Sequence, residues 1–170
     1  MKVRRIALLG LLTALSLVLG WVERLLPLPG GLPGMKLGLA NLAVLLALYG
    51  LDSPSAGLLV LLKVSLSALL FSNGLTALIY SAAGAILSFA GMLLLRKWDR
   101  YSVVTVSAAG GVLHNIGQLL AAMAVTRTAG LWSLAPMLAA SGVGSGLLLG
   151  SAARGMQPML RRFSGTGERK

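Results

Sequence analysis

Apolar side chains dominate six stretches of the chain, at 6–25, 37–50, 55–71, 75–95, 103–125 and 131–153, and only short polar or glycine-containing breaks separate them. A helix that crosses the hydrocarbon core of a bilayer needs about 20 mostly apolar residues. Five of the stretches meet or approach that length. The pattern predicts an all-α integral membrane protein with six transmembrane helices, residues 1–156 forming one domain. Residues 26–36 form an extramembrane loop, and 157–170 a basic tail. At Asp52-Ser53-Pro54 a capping carboxylate precedes a proline whose missing N–H costs nothing in a first turn, which marks the start of the third helix.

The second stretch is the unusual one. Its fourteen residues make about 21 Å of helix at 1.5 Å per residue, against a core of roughly 30 Å. It follows PLPGGLPGMKLGLAN (27–41), a run punctuated by proline and glycine. Either this segment dips into the membrane to meet the short helix, or it is a plain loop before a shallow, tilted one. Irregular backbone at membrane depth persists only where protein or a water-filled cavity covers it. A short, Pro/Gly-interrupted span is therefore a pointer to a binding site.

Charge sets the orientation. Only 11% of residues are charged, where a soluble domain carries about 25%. The net charge of +11 is gathered at the ends of apolar runs, in Lys2, Arg4 and Arg5, in Arg96, Lys97 and Arg100, and in Arg154, Arg161, Arg162, Arg169 and Lys170. A nucleic-acid footprint would lie along one face of a soluble fold, so nucleic acid is not an expected partner; the lipid bilayer is. Eleven Lys and Arg fall on the side of the two termini and three, Arg24, Lys36 and Arg127, on the other. The positive-inside rule places both termini in the cytoplasm and residues 26–36 outside. The first stretch reads as a retained span: Trp21, Val22, Glu23 and Arg24 follow it, with no small-residue cleavage site.

Polar residues inside the spans are functional candidates by default. Lys63 lies near mid-span, and Ala56, Val60 and Ser67 share its helical face, which suggests that it points into the bundle; a snorkelling lysine is the alternative. In the fifth span Ser107, Gly110, His114 and Gln118 form one face, with Asn115 beside it. Such a face needs partners when dehydrated, supplied by neighbouring helices, by a ligand or by both. Tyr80, Gly84, Ser88 and Gly91 form a face of the fourth span. Gly142, Gly146 and Gly150 recur at intervals of four in the sixth, a close-packing signature. Topology puts Lys36, Asn41, Asn73, Tyr80 and Gln118 in the outer half, with Lys63 and His114 near the middle. The expected pocket opens outward, leans positive and takes a small, anionic or carbonyl-rich molecule.

Four scattered acids, Glu23, Asp52, Asp99 and Glu168, offer no paired-carboxylate site, and the absence of cysteine excludes disulfides and thiolate metal ligation. No phosphate-binding loop, zinc-protease motif or nucleophile triad is present. No metal, cofactor or chemistry of the chain's own is expected.

The segments PGMKLGLANLAVLLAL (33–48) and GGVLHNIGQLLAA (110–122), with Lys63 ahead of Ser67 and Asn73-Gly74, resemble the Gx transporter family, also labelled heptaprenyl diphosphate synthase component I. That family looks like the substrate-binding S components of energy-coupling-factor transporters. The resemblance implies a six-helix bundle in a bacterial plasma membrane and an extracellular lid at 26–36. It also implies substrate contacts among Lys36, Asn41, Lys63, Tyr80, His114, Asn115 and Gln118. Ala7, Gly10 and Ala14 would meet a coupling membrane protein that works with ABC ATPases. The synthase label implies a different role, a membrane accessory to isoprenoid, quinone or flavin-linked electron-transfer metabolism. The aspartate-rich motifs with which prenyltransferases hold magnesium are absent.

Overall fold

A computed structural model describes residues 2–25, 38–71, 74–98 and 100–164. Lys36, Asn73 and the expected lid at 26–36 lie outside these residues. The described chain forms helices α1 (Lys2–Leu25), α2 (Asn41–Gly50), α3 (Ser53–Phe71), α4 (Gly74–Lys97), α5 (Val103–Thr126) and α6 (Ala135–Ser164), with a 3-10 segment, Ala129–Leu134, leading into α6. Five helices are long and apolar enough to cross a membrane, and α2 is the shorter sixth. The described residues form an all-helical bundle of the multi-pass membrane type.

Local chemistry sets the helix ends. The Ser55 N–H donates to Asp52 Oδ1 at 2.8 Å, the cap expected at Asp52-Ser53-Pro54. Ser102 Oγ accepts from the Thr105 N–H at 3.1 Å and starts α5. Arg127, at φ 53°, ends α5 in a left-handed cap. Helix α6 runs on through Pro158, so residues 157–164 of the expected tail are a helical extension.

The second helix is shorter than the sequence suggested. It begins at Asn41, and its ten residues rise about 15 Å. It is also the most enclosed element: the side chains from Ala43 to Leu48 are each at most 2% exposed. A helix that is apolar on every side belongs inside a bundle, and α2 packs against α1, α3 and α6. The long helices turn apolar residues such as Val3, Leu61, Leu69, Leu75 and Leu148 outward, as lipid-facing surfaces require.

Helices α4, α5 and α6 are held by small residues. A Cβ built on Gly142 would fall 2.7 Å from the Gly111 carbonyl carbon. Built on Gly146 or Gly150, it would fall 2.5 Å from Ala108 Cα or 2.7 Å from Val104 Cα. Backbone therefore meets backbone along the α5–α6 seam, the packing role read from the spacing of these glycines. Ser88 Oγ donates to the Gly110 carbonyl at 2.8 Å and ties α4 to α5.

The helices alternate in direction. At one end the start of α1 meets the α2–α3 turn and the end of α4. There Arg5 pairs with Asp52 and donates to Ser55 Oγ at 2.9 Å. Arg96 donates to Ser53 Oγ at 3.3 Å, and its guanidinium lies 5.2 Å from the centre of the Tyr49 ring. Partial burial opposes ionisation of Asp52. The hydrogen bonds to Ser55 and the charges of Arg5 and Arg96 outweigh it and hold the carboxyl below its ordinary pKa. This is the basic end of the molecule, the end that the charge bias assigned to the termini.

Candidate functional site

At the opposite end of α1 a small, partly open cavity of about 50 Å³ lies where α1, α3, α4 and α5 surround the turn that leads into α2. Helix α1 contributes Gly20 and Glu23, the turn contributes Gly38 and Ala40, and α3 contributes Lys63, Val64 and Ser67. Ser81 enters from α4 and His114 from α5. Glu23 and His114 are 6% and 5% exposed, so two titratable groups are buried here inside an otherwise apolar bundle. Such groups are costly in a membrane unless partnered.

The turn before α2 is built by Gly38. Its φ of +78° is one that glycine adopts without strain, and a Cβ there would sit 3.2 Å from Asn41 Nδ2. The Asn41 N–H donates to the Gly38 carbonyl at 2.7 Å, and the Leu42 N–H to that of Leu39 at 3.0 Å. Two side chains fix the turn from either flank. The Gly38 N–H donates to the Glu23 carboxylate, and Lys63 Nζ donates to Asn41 Oδ1 at 2.8 Å. One carboxylate from α1 thus holds the backbone at Gly38, and one ammonium from α3 holds the Asn41 side chain three residues on.

Gly38 and Asn41 also border a second, narrower cleft of about 10 Å³, lined by Met92 of α4, Ser107 and Gly110 of α5, and Ser145 and Gly146 of α6. The lead-in to α2 therefore separates a charged chamber from a chamber of small and hydroxyl-bearing residues.

The residues singled out from the sequence divide. Lys63 and His114 line the larger cavity, and Asn41 joins it through Lys63. Ala56 and Val60 are buried and Ser67 is in the lining, so the inward stripe read for Lys63 is the face that α3 turns to the bundle. Asn115 is buried but turns to α6, where its amide donates to the Leu138 carbonyl at 2.8 Å and to Ser141 Oγ at 3.1 Å. Gln118 is half-buried with its stem against Gly84, and Tyr80 is half-buried on α4 next to Ser81. Ala7, Gly10 and Ala14 are exposed on α1, and nothing lies within 4 Å of a Cβ placed on Gly10.

Glu23, Gly20, Gly38 and Ser81 were not singled out as contacts. A signal for Glu23 exists: Thr13, Ser16, Gly20 and Glu23 form a small and polar stripe along α1, and Thr13, Ser16 and Glu23 are all buried.

The family model described as heptaprenyl diphosphate synthase component I matches residues 12–156, a range that includes every residue lining the two cavities. No curated protein and no solved structure gives a significant match.

Proposed function

The chain belongs to the heptaprenyl diphosphate synthase component I family, and on that footing we propose that it binds a small polar molecule from the outer side of the membrane and passes it inward with partner proteins. The observation that carries this reading is the cavity in which Glu23, Lys63 and His114 meet inside an apolar bundle. In this reading Lys63 supplies positive charge, Asn41 sets the position of its ammonium, and His114 links the network. Tyr80, Asn115 and Gln118 support the α4–α5–α6 wall. The exposed small residues Ala7, Gly10 and Ala14 suit close approach of a partner helix, as a coupling membrane protein driven by ABC ATPases would make. The membrane is a bacterial plasma membrane.

The family description favours one second reading, a non-catalytic accessory to a membrane-bound prenyl synthase or related quinone or flavin-linked redox enzyme. Catalysis by this chain alone is disfavoured. A magnesium–diphosphate site requires clustered carboxylates, and here no two acids lie within ten positions of each other.

Mass spectrometry of small molecules retained through purification in detergent tests the binding reading. The double variant Lys63→Ala/His114→Ala is expected to lose the molecule that wild type retains. Undiminished occupancy would show that the cavity is not the binding site. Co-purification with a coupling protein and ATPases supports transport, whereas a prenyltransferase or flavoprotein supports the accessory role.

A further inference from the structure

Helix α4 has two unlike faces. One meets α5 and buries Gly84, Ser88 and Met92. On the other, Ile86, Ala90 and Leu94 follow one another at intervals of four, and the row ends in Trp98, just past the last helical residue. Ile86, Leu94 and Trp98 are 64%, 59% and 60% exposed, so this face is turned to lipid.

The turn after α4 gathers aromatic and basic side chains where that row stops. The Trp98 carbonyl accepts from the Arg100 N–H at 2.5 Å and from the Tyr101 N–H at 3.3 Å, which folds the chain back on itself. The Trp98 and Tyr101 rings then stack, with centres 6.2 Å apart and planes 23° from parallel. Such rings set an apolar body against acyl chains and a polar edge in water, which holds them at headgroup level. Lys97 and Arg100 are exposed beside the pair. Arg96 is engaged elsewhere, with Ser53 and the Tyr49 ring. Gly150 of α6 meets Val104 of α5, so Arg154, one turn further along α6 and exposed, stands at the level of this turn. Asp99 is the one acid in the sequence from 96 to 102, against Arg96, Lys97 and Arg100.

We propose that this end of α4 is a binding site for an anionic phospholipid, its acyl chain along Ile86, Ala90 and Leu94 and its phosphate between Lys97 and Arg100 at the stacked rings. The site lies at the opposite end of the bundle from the cavity and does not depend on the ligand reading above. The dimensions suit a lipid: Ile86 to Trp98 covers about 18 Å of helix, close to the roughly 15 Å depth of one leaflet in a core of roughly 30 Å. The charge selects among lipids. A zwitterionic headgroup would bring its own cation beside two basic side chains, whereas phosphatidylglycerol brings negative charge alone. Basic residues flanking a span attract anionic lipid in this way, and salt screens the attraction.

Trp98 can report on its own site. Trp21→Phe and Trp132→Phe, both at exposed positions, leave it the sole tryptophan of the chain. Quenching by phospholipids with brominated acyl chains then reads which headgroup lies beside it. In vesicles of mixed phosphatidylglycerol and phosphatidylcholine, this chain is expected to prefer phosphatidylglycerol about threefold. Lys97→Gln/Arg100→Gln is expected to bring the ratio to about one, and salt at about 0.5 M to do the same. Quenching by brominated phosphatidylcholine that persists in the double variant shows that the variant still sits folded in the bilayer. Arg4→Gln, which removes an exposed charge of α1 at the same end, is expected to leave the preference in place.

A ratio near one before any charge is removed, or a preference that survives the double substitution, would overturn the site. An equal loss on Arg4→Gln would also overturn it, by assigning the effect to the overall charge of this end. So would the absence of quenching by either brominated lipid, because protein and not lipid would then cover the face.

Discussion

The α5–α6 seam and the junction of α1, α2 and α3 lie in the same small bundle and are held together by different physics. Along the seam, Gly142, Gly146 and Gly150 bring backbone against Gly111, Ala108 and Val104, with no room for a methyl group. At the junction, Gly20 has 3.8 Å between a built Cβ and that of Ala40, and the contacts are those of a carboxylate and an ammonium on a turn. Lipid supplies no hydrophobic drive between helices, so van der Waals fit and interhelical hydrogen bonds must supply the association. The seam relies chiefly on the first, with the Asn115 amide bonding across to Leu138 and Ser141, and the junction adds directional bonds around its turn to the apolar packing of α2. Dense packing makes a frame that tolerates no added volume, while a few directional bonds around a cavity leave space for a ligand.

The same substitution made in both places separates the two most sharply. Gly142→Ala puts its Cβ inside contact distance of backbone that cannot rotate away. It is expected to destabilise the bundle by about 3 kcal/mol, the upper end of overpacking costs. Gly20→Ala meets only ordinary contact and gains helix propensity of up to about 1 kcal/mol, so its stability should equal or exceed that of wild type. Reversible unfolding in mixed micelles reads both. Equal losses at the two positions would erase the distinction between frame and cavity wall.

Gly38→Ala is the next largest effect. Left-handed backbone costs a residue with a Cβ about 1–2 kcal/mol, and the added atom would press on the Asn41 amide that receives Lys63. Stability is expected to fall by about that amount, with retention of the co-purifying molecule falling further as the Lys63 ammonium loses its fixed position. A loss of stability with full ligand retention would mean that the turn is structural only.

Hydropathy and capping chemistry were enough to read six apolar helices, five of them of spanning length, and the start of α3, because burial in lipid and helix capping are local properties of the chain. The shortness of the second helix was legible for the same reason, although its start at Asn41 depended on the Gly38 turn. The site was legible only in part. His114 and Asn115 are adjacent and point about 100° apart on a helix. One faces the cavity and the other turns to α6, a division that depends on which helix lies on each flank of α5. Glu23 looked like an acid at the outer rim because it closes the first span beside Arg24. Its burial comes from a turn fifteen residues later folding back onto α1, a contact that no local pattern encodes.

The smallest effect concerns the far end of the molecule, where the Arg5–Asp52–Ser55 cluster fastens α1 to α3. The folded state lowers the Asp52 pKa, so the carboxylate contributes stability that is complete above the unfolded value, about 3.9. That contribution disappears as the pH falls through the lower folded value. The side chain is 37% exposed and water screens the pair, which limits the contribution to below about 1 kcal/mol. Asp52→Asn keeps the oxygen that caps Ser55 and removes only the charge. The stability gap between wild type and this variant should therefore be small at neutral pH and close below about pH 4, with ligand retention unchanged at every pH because the cluster lies at the opposite end of the bundle from the cavity. A gap that stayed constant into acid would assign the effect to the cap and not to the charge. A change in ligand retention on Asp52→Asn would mean that α1 carries strain from one end of the molecule to the other, and that the clasp and the pocket are a single device.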